Sequence, residues 1–153
     1  MSNDSSYTVP LLINGKEVTT TTTFPVVSPS SHKQIWSASS ASLDDVSSAI
    51  SAAQAAFPAW AKTKPSARRD IFLKAAEIFA SRAEEAGRYM EEETGSAPAF
   101  SSGFNVPLTA EMFKDVAGRI STITGMIPTC SQEGTSALVI KEPYGVVLGI
   151  APW

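Results

Sequence analysis

Cys130 is the only cysteine and His32 the only histidine in this chain. A nucleophilic thiol needs a lowered pKa and an adjacent base. Cys130 lies in the polar connector Pro128-Thr129-Cys130-Ser131-Gln132, with neither at hand in the sequence. It reads as an ordinary thiol. One cysteine excludes an intramolecular disulfide and a Cys-cluster zinc site. One histidine, in the Ser-rich turn Ser30-Ser31-His32, argues against a His-based triad or a multi-His metal site and reads as a surface residue. Glu91-Glu92-Glu93 reads as the solvated face of a helix rather than a paired-carboxylate site. Lys62, Lys64, Arg68 and Arg69 precede a helix; solvation of the surface explains them better than an anion site at the helix start. Gly145 and Gly149 do not make a dinucleotide fingerprint, since no helix follows them. The residues alone therefore nominate no catalytic set and no metal ligands.

Composition sets the frame for the elements. The chain has 153 residues, 43% hydrophobic and 18% charged, which is globular. That length fits one domain or part of a larger one. Twelve basic residues against 15 acidic ones give a net charge of -3, so no basic excess exists to hold a nucleic acid. The start, Met1-Ser2-Asn3-Asp4-Ser5-Ser6, lacks the basic and apolar stretches of a secretory signal, and the Asn3-Asp4-Ser5 sequon is expected to be silent. The longest apolar run, residues 145–153, is far short of the roughly 20 residues of a membrane helix. A soluble, cytoplasmic chain is the expectation, with no membrane and no nucleic-acid partner.

Residues 1–9 read as a disordered, polar tail. Leu11-Leu12-Ile13-Asn14-Gly15-Lys16-Glu17-Val18 reads as a hairpin, because Asn and Gly tolerate the positive φ of a type I′ turn. Thr19 to Thr23 either extends the second strand or forms an exposed loop. Phe24-Pro25-Val26-Val27 leads into the turn around Ser28-Pro29, and a short strand follows over residues 34–38. Ser42 caps a helix whose first turn carries Asp44 and Asp45. Val46, Ile50, Ala53 and Phe57 give that helix one buried stripe, and Pro58 is expected at or just beyond its end. A second helical stretch begins after Lys64-Pro65-Ser66, with Ile71, Phe72, Ala75, Phe79, Ala83 and Met90 inward. It either runs to Glu93 or breaks within residues 81–85.

Residues 95–103, rich in Ser, Ala and Gly, read as a loop. Pro107 suits a first helical position. Met112, Phe113, Val116, Ile120 and Ile123 then form the core stripe of a third helix, stopped by Gly125 and Pro128. Strands are expected over residues 136–141 and 146–150, around the turn Pro143-Tyr144-Gly145. Val146-Val147-Leu148-Gly149-Ile150 is apolar on both faces, the mark of a central strand in a helix-covered parallel sheet. A parallel neighbour needs a crossover of about a dozen residues or more. None follows, so the expectation is a chain that stops inside a fold.

Taken in order, these motifs resemble the amino-terminal part of the aldehyde dehydrogenase superfamily. The marks are Ile13-Asn14-Gly15, Ser28-Pro29 after Val26-Val27, and the alanine-rich segment from Ala49 to Phe57 followed by Trp60, which is similar to the family's AxxAxxAFxxW pattern. Arg69 opens the second helix and Glu93-Thr94-Gly95 closes that region. The longest mark runs from Glu142-Pro143-Tyr144-Gly145 through Ile150-Ala151-Pro152-Trp153. Together they cover about residues 10–153. Within the superfamily the chain looks most similar to fungal or bacterial members acting on aromatic aldehydes. Ser96 departs from the family, which often has a basic residue after the glycine.

The resemblance implies an α/β fold: a β-hairpin, three or four helices, an oligomerisation strand and the first strand of an incomplete Rossmann-type sheet. It implies NAD or NADP as cofactor and a small aldehyde, oxidised to a carboxylic acid, as substrate. The family's cysteine thiolate, oxyanion-holding asparagine and water-activating glutamate would all lie beyond Trp153, so no catalytic residue is carried over. Ile150, Ala151, Pro152 and Trp153 are the cofactor-contact candidates, on the nicotinamide side of the cleft. Residues 11–18 and 136–141 would join the family's small oligomerisation sheet. Residues 10–153 are then an incomplete amino-terminal part of the domain, inactive and not expected to bind cofactor alone. Two alternatives stand beside this: a non-enzymatic partner or inhibitor that pairs its strands with full-length dehydrogenase subunits, and a truncated gene product without function.

Overall fold

Asn14 and Gly15 both adopt positive φ, 52° and 71°. They close the hairpin of β2 (Leu11–Ile13) and β3 (Lys16–Val18), with Ile13 opposite Lys16, as the Asn-Gly pair predicts. The structure is a computed structural model describing residues 7–151. The residues after β3 run as an exposed connector, in which Thr20 Oγ1 donates to the Thr22 carbonyl at 2.7 Å. A three-stranded sheet follows in the order β1 (Thr8–Val9), β5 (Gln34–Ser39), β4 (Thr23–Val27). β1 pairs parallel and β4 antiparallel with β5. The expected tail over residues 1–9 is thus corrected at Thr8 and Val9, which find ladder partners in Ser37 and Ala38. Pro25 is tolerated because β4 is an edge strand, where one missing donor costs no ladder bond.

Helix α1 (Leu43–Ala61) starts with a complete capping box. Ser42 Oγ accepts from the Asp45 N–H at 3.2 Å, and the Ser42 N–H donates to Asp45 Oδ2 at 2.8 Å. Pro58 does not end this helix; it sits inside the last turn. So near the end, proline removes a single ladder bond, and Ala59, Trp60 and Ala61 continue. The stripe expected to be buried is not: Val46 and Ile50 are exposed, Ala53 is exposed, and Phe57 is half-buried. Apolar spacing marked a face, but among the described residues Val46, Ile50 and Ala53 on it stay exposed.

The second helical stretch breaks. α2 (Pro65–Ser81) and α3 (Ala83–Thr94) meet at Arg82, whose φ of -111° and ψ of 21° leave the helical region. Gly95, in the left-handed conformation with φ 69°, ends α3. A side chain there would run into Pro29 of the turn after β4, so two stretches distant in sequence meet at this glycine. The expected loop over residues 95–103 is largely helical instead. α4 (Pro98–Phe100) leads into a π-helical turn, Ser101–Asn105, and then α5 (Val106–Arg119). Pro107 is the second residue of α5, and the Val106 N–H bonds the Ser101 carbonyl five residues back. Small polar residues suggested a loop; tertiary hydrogen bonds to α3 hold them helical.

α2 and α5 pack face to face. The buried residues of this pair are Ala76 on α2 and Val106, Ala110 and Ala117 on α5, with Ala117 fully buried. Phe113 lies between Phe72 and Phe79, with ring centroids 6.2 and 6.4 Å away. The expected α5 stripe is therefore rotated. Phe113 and Ile120 face inward as read, but Met112, Val116 and Ile123 are exposed. Close helix approach selects alanine, and reading by bulk chose the flanking residues. Ile71 is likewise exposed on α2.

Residues 136–141 and 146–150 do not form paired strands. Val139 makes one antiparallel bridge with Met126, N–H to carbonyl at 2.9 and 3.0 Å. Residues 146–150 make no ladder, and Val147, Leu148 and Ile150 are almost wholly exposed. A strand needs a neighbour for its N–H and C=O groups, and among the described residues none lies alongside. The class is α/β, as expected, while residues 146–150, expected as the first strand of a Rossmann-type sheet, are unpaired among the described residues. No helix among the described residues is long and apolar enough to cross a membrane.

Candidate functional site

At the break between α2 and α3 charged and aromatic side chains meet. Arg82 Nε and Nη2 donate to the two Glu85 oxygens at 2.7 and 3.0 Å, a bidentate pair on the first turn of α3. Tyr89, one turn on, donates its hydroxyl to Glu85 Oε1 at 3.1 Å. The Arg82 hydrogen bond, followed by that of Tyr89, holds the Glu85 carboxyl below its ordinary pKa. Tyr89 packs edge-on against Trp36 of β5 at 5.7 Å, and the Arg88 guanidinium lies 5.1 Å from the Tyr89 ring centre. This chain of contacts joins sheet to helix. Beside it opens a groove of about 400 Å³ with an apolar floor that includes Ile78, Phe79, Ala86 and Phe113. Its charges are already paired with each other, so it offers shape but no free acid, base or nucleophile.

The acidic run has structural partners. Ser101 Oγ donates to Glu91 Oε1 at 2.7 Å and Ser102 Oγ to the same oxygen at 3.1 Å. Arg88 approaches Glu92 at 4.0 Å. Glu93 keeps solvent contact, but partial burial raises its pKa; the nearby Trp36 indole acts against this and the Glu92 charge with it. The reading of residues 91–93 as a solvated face is corrected for Glu91 and Glu92, which are half-buried. The clamp they form had one sequence signal that went unread: Gly87, inside a helix. It is fully buried, and a Cβ there would strike the Ser102 side chain.

The other candidates stand apart. Cys130 is half-buried in its connector, with its Sγ 4.0 Å from the Pro128 carbonyl oxygen. His32 is exposed at φ 56° in the turn after β4. Lys62, Lys64 and Arg69 are exposed, as read, while Arg68 is half-buried; Arg69 pairs with Asp70 at 2.8 Å. Among the described residues no group of His, Cys, Asp and Glu could hold a metal ion.

Of the cofactor-contact candidates, Ile150 and Ala151 lie on the exposed, unpaired segment, and Pro152 and Trp153 fall outside the described residues. An NAD(P) cradle requires a closely approached backbone and a helix start for the pyrophosphate. Ile150 and Ala151 have no such surroundings, so the described residues alone do not fit the cofactor.

Residues 16–153 match the family model described as the aldehyde dehydrogenase family. The vanillin dehydrogenase of Pseudomonas sp. strain HR199 is 41% identical over 147 residues, 95% of this chain and 30% of that protein. A solved salicylaldehyde dehydrogenase from Pseudomonas putida G7, complexed with salicylaldehyde, aligns at a TM-score of 0.81 and 27% identity, over 89% of this chain and 28% of that one. An NAD-dependent benzaldehyde dehydrogenase from Corynebacterium glutamicum aligns at 0.77 and 25% identity, over 86% and 29%. The chain thus spans less than a third of the length of these relatives. The family model covers β3, the capped helix α1, the broken pair α2–α3 and the apolar segment 146–150 in one alignment, and on that match the chain belongs to the aldehyde dehydrogenase family.

Proposed function

We propose that this chain supplies the amino-terminal part of an NAD(P)-dependent dehydrogenase that oxidises an aromatic aldehyde to its carboxylic acid. One observation carries the reading: 41% identity to a vanillin dehydrogenase over 95% of the chain. The salicylaldehyde and benzaldehyde dehydrogenases among its structural neighbours support the same substrate class.

In this reading the described residues are scaffold. The α2–α5 seam holds two helices together, the Trp36–Tyr89 contact ties α3 to the sheet, and α3 carries the clamp that sets where α5 begins. Residues 10–153 form the opening part of the domain. Ile150, Ala151, Pro152 and Trp153 come to line the nicotinamide side of the cleft once residues 146–150 gain strand neighbours. The hairpin and residues 136–141 join a sheet shared between subunits, in the cytoplasm. Nucleophile, oxyanion donor and base come from other residues, and residues 1–153 alone are inactive.

A chimera tests this. Residues 1–153 replace the matching segment of the Pseudomonas HR199 vanillin dehydrogenase, and NADH formation is followed with vanillin, salicylaldehyde and benzaldehyde. Turnover with at least one of them is expected, and none from residues 1–153 alone. A folded chimera inactive on all three would overturn the proposal, as would turnover by the isolated chain.

A further inference from the structure

We draw no further inference here: the strongest candidate, the open apolar groove at the α2–α3 junction lined by Ile78, Phe79, Tyr89 and Phe113, carries nothing because nothing in the structure shows what covers it.

Discussion

The Ser101 hydroxyl donates to Glu91 Oε1 at 2.7 Å, linking the π-helical turn to α3 across ten residues of chain. Ser101 is fully buried and donates to a carboxylate, so this bond belongs to the stronger class of neutral-to-charged hydrogen bonds. Ser102 adds a second donor to the same oxygen at 3.1 Å. Replacing Ser101 with Ala should cost about 1–2 kcal/mol, and Glu91→Ala about 1–3 kcal/mol. The double variant should lose less than the sum, by about 0.5 kcal/mol or more. Urea unfolding of the four proteins measures the cycle; strict additivity would show that the pair does not interact.

Gly87 and Gly118 both lie inside helices but should respond in opposite ways to alanine. A Cβ at Gly87 meets the Ser102 side chain, whereas one at Gly118 meets nothing within 4 Å. Gly87→Ala should destabilise by about 1–3 kcal/mol through overpacking. Gly118→Ala should stabilise by about 0.5–1 kcal/mol through helix propensity. Thermal or urea midpoints of the two variants decide; a stabilising Gly87→Ala would disprove the close approach of α3 to the π turn.

Ser42→Ala removes the cap of α1 and should cost about 1 kcal/mol. The same contact sets a pH dependence. The Ser42 side-chain and backbone hydrogen bonds hold the Asp45 pKa below its ordinary value. A depressed folded-state pKa stabilises above the unfolded value and is lost as pH falls through the folded one. The stability gap between the native chain and Ser42→Ala should therefore narrow on acidification below about pH 4. A gap that stays constant down to pH 2 would mean the capping box is not formed.

Glu93 should behave oppositely. Burial, its largest influence, raises its pKa, so its contribution is favourable below the unfolded value and is lost as pH rises through the folded one. Glu93→Gln should be more stabilising, relative to the native chain, at pH 7 than at pH 4. An equal effect at both values, read from unfolding midpoints, would show that Glu93 is not desolvated.

Local chemistry was legible in the sequence wherever one short segment decides the outcome. Asn14-Gly15 dictated its turn and Ser42 with Asp45 its cap, because each interaction is complete within four residues. What needed a distant partner was misread. The Ser-rich stretch after Gly95 is helical because Glu91 accepts from Ser101 and Ser102. The buried positions of α5 are Val106, Ala110 and Ala117 because α2 packs on that face. Residues 146–150 have the composition of a central strand, yet strand pairing is a property of two segments, and among the described residues none lies beside them. For the site, the sequence motifs identified the family, while the placement of Ile150 and its neighbours depends on elements that must pack beside them.

The most direct measurement is a crystal structure of the vanillin dehydrogenase chimera with NAD bound. The account predicts that residues 146–150 pair as a strand within a parallel sheet and that Ile150, Ala151, Pro152 and Trp153 line the nicotinamide side. Finding that segment still unpaired and exposed, with NAD held elsewhere, would contradict it.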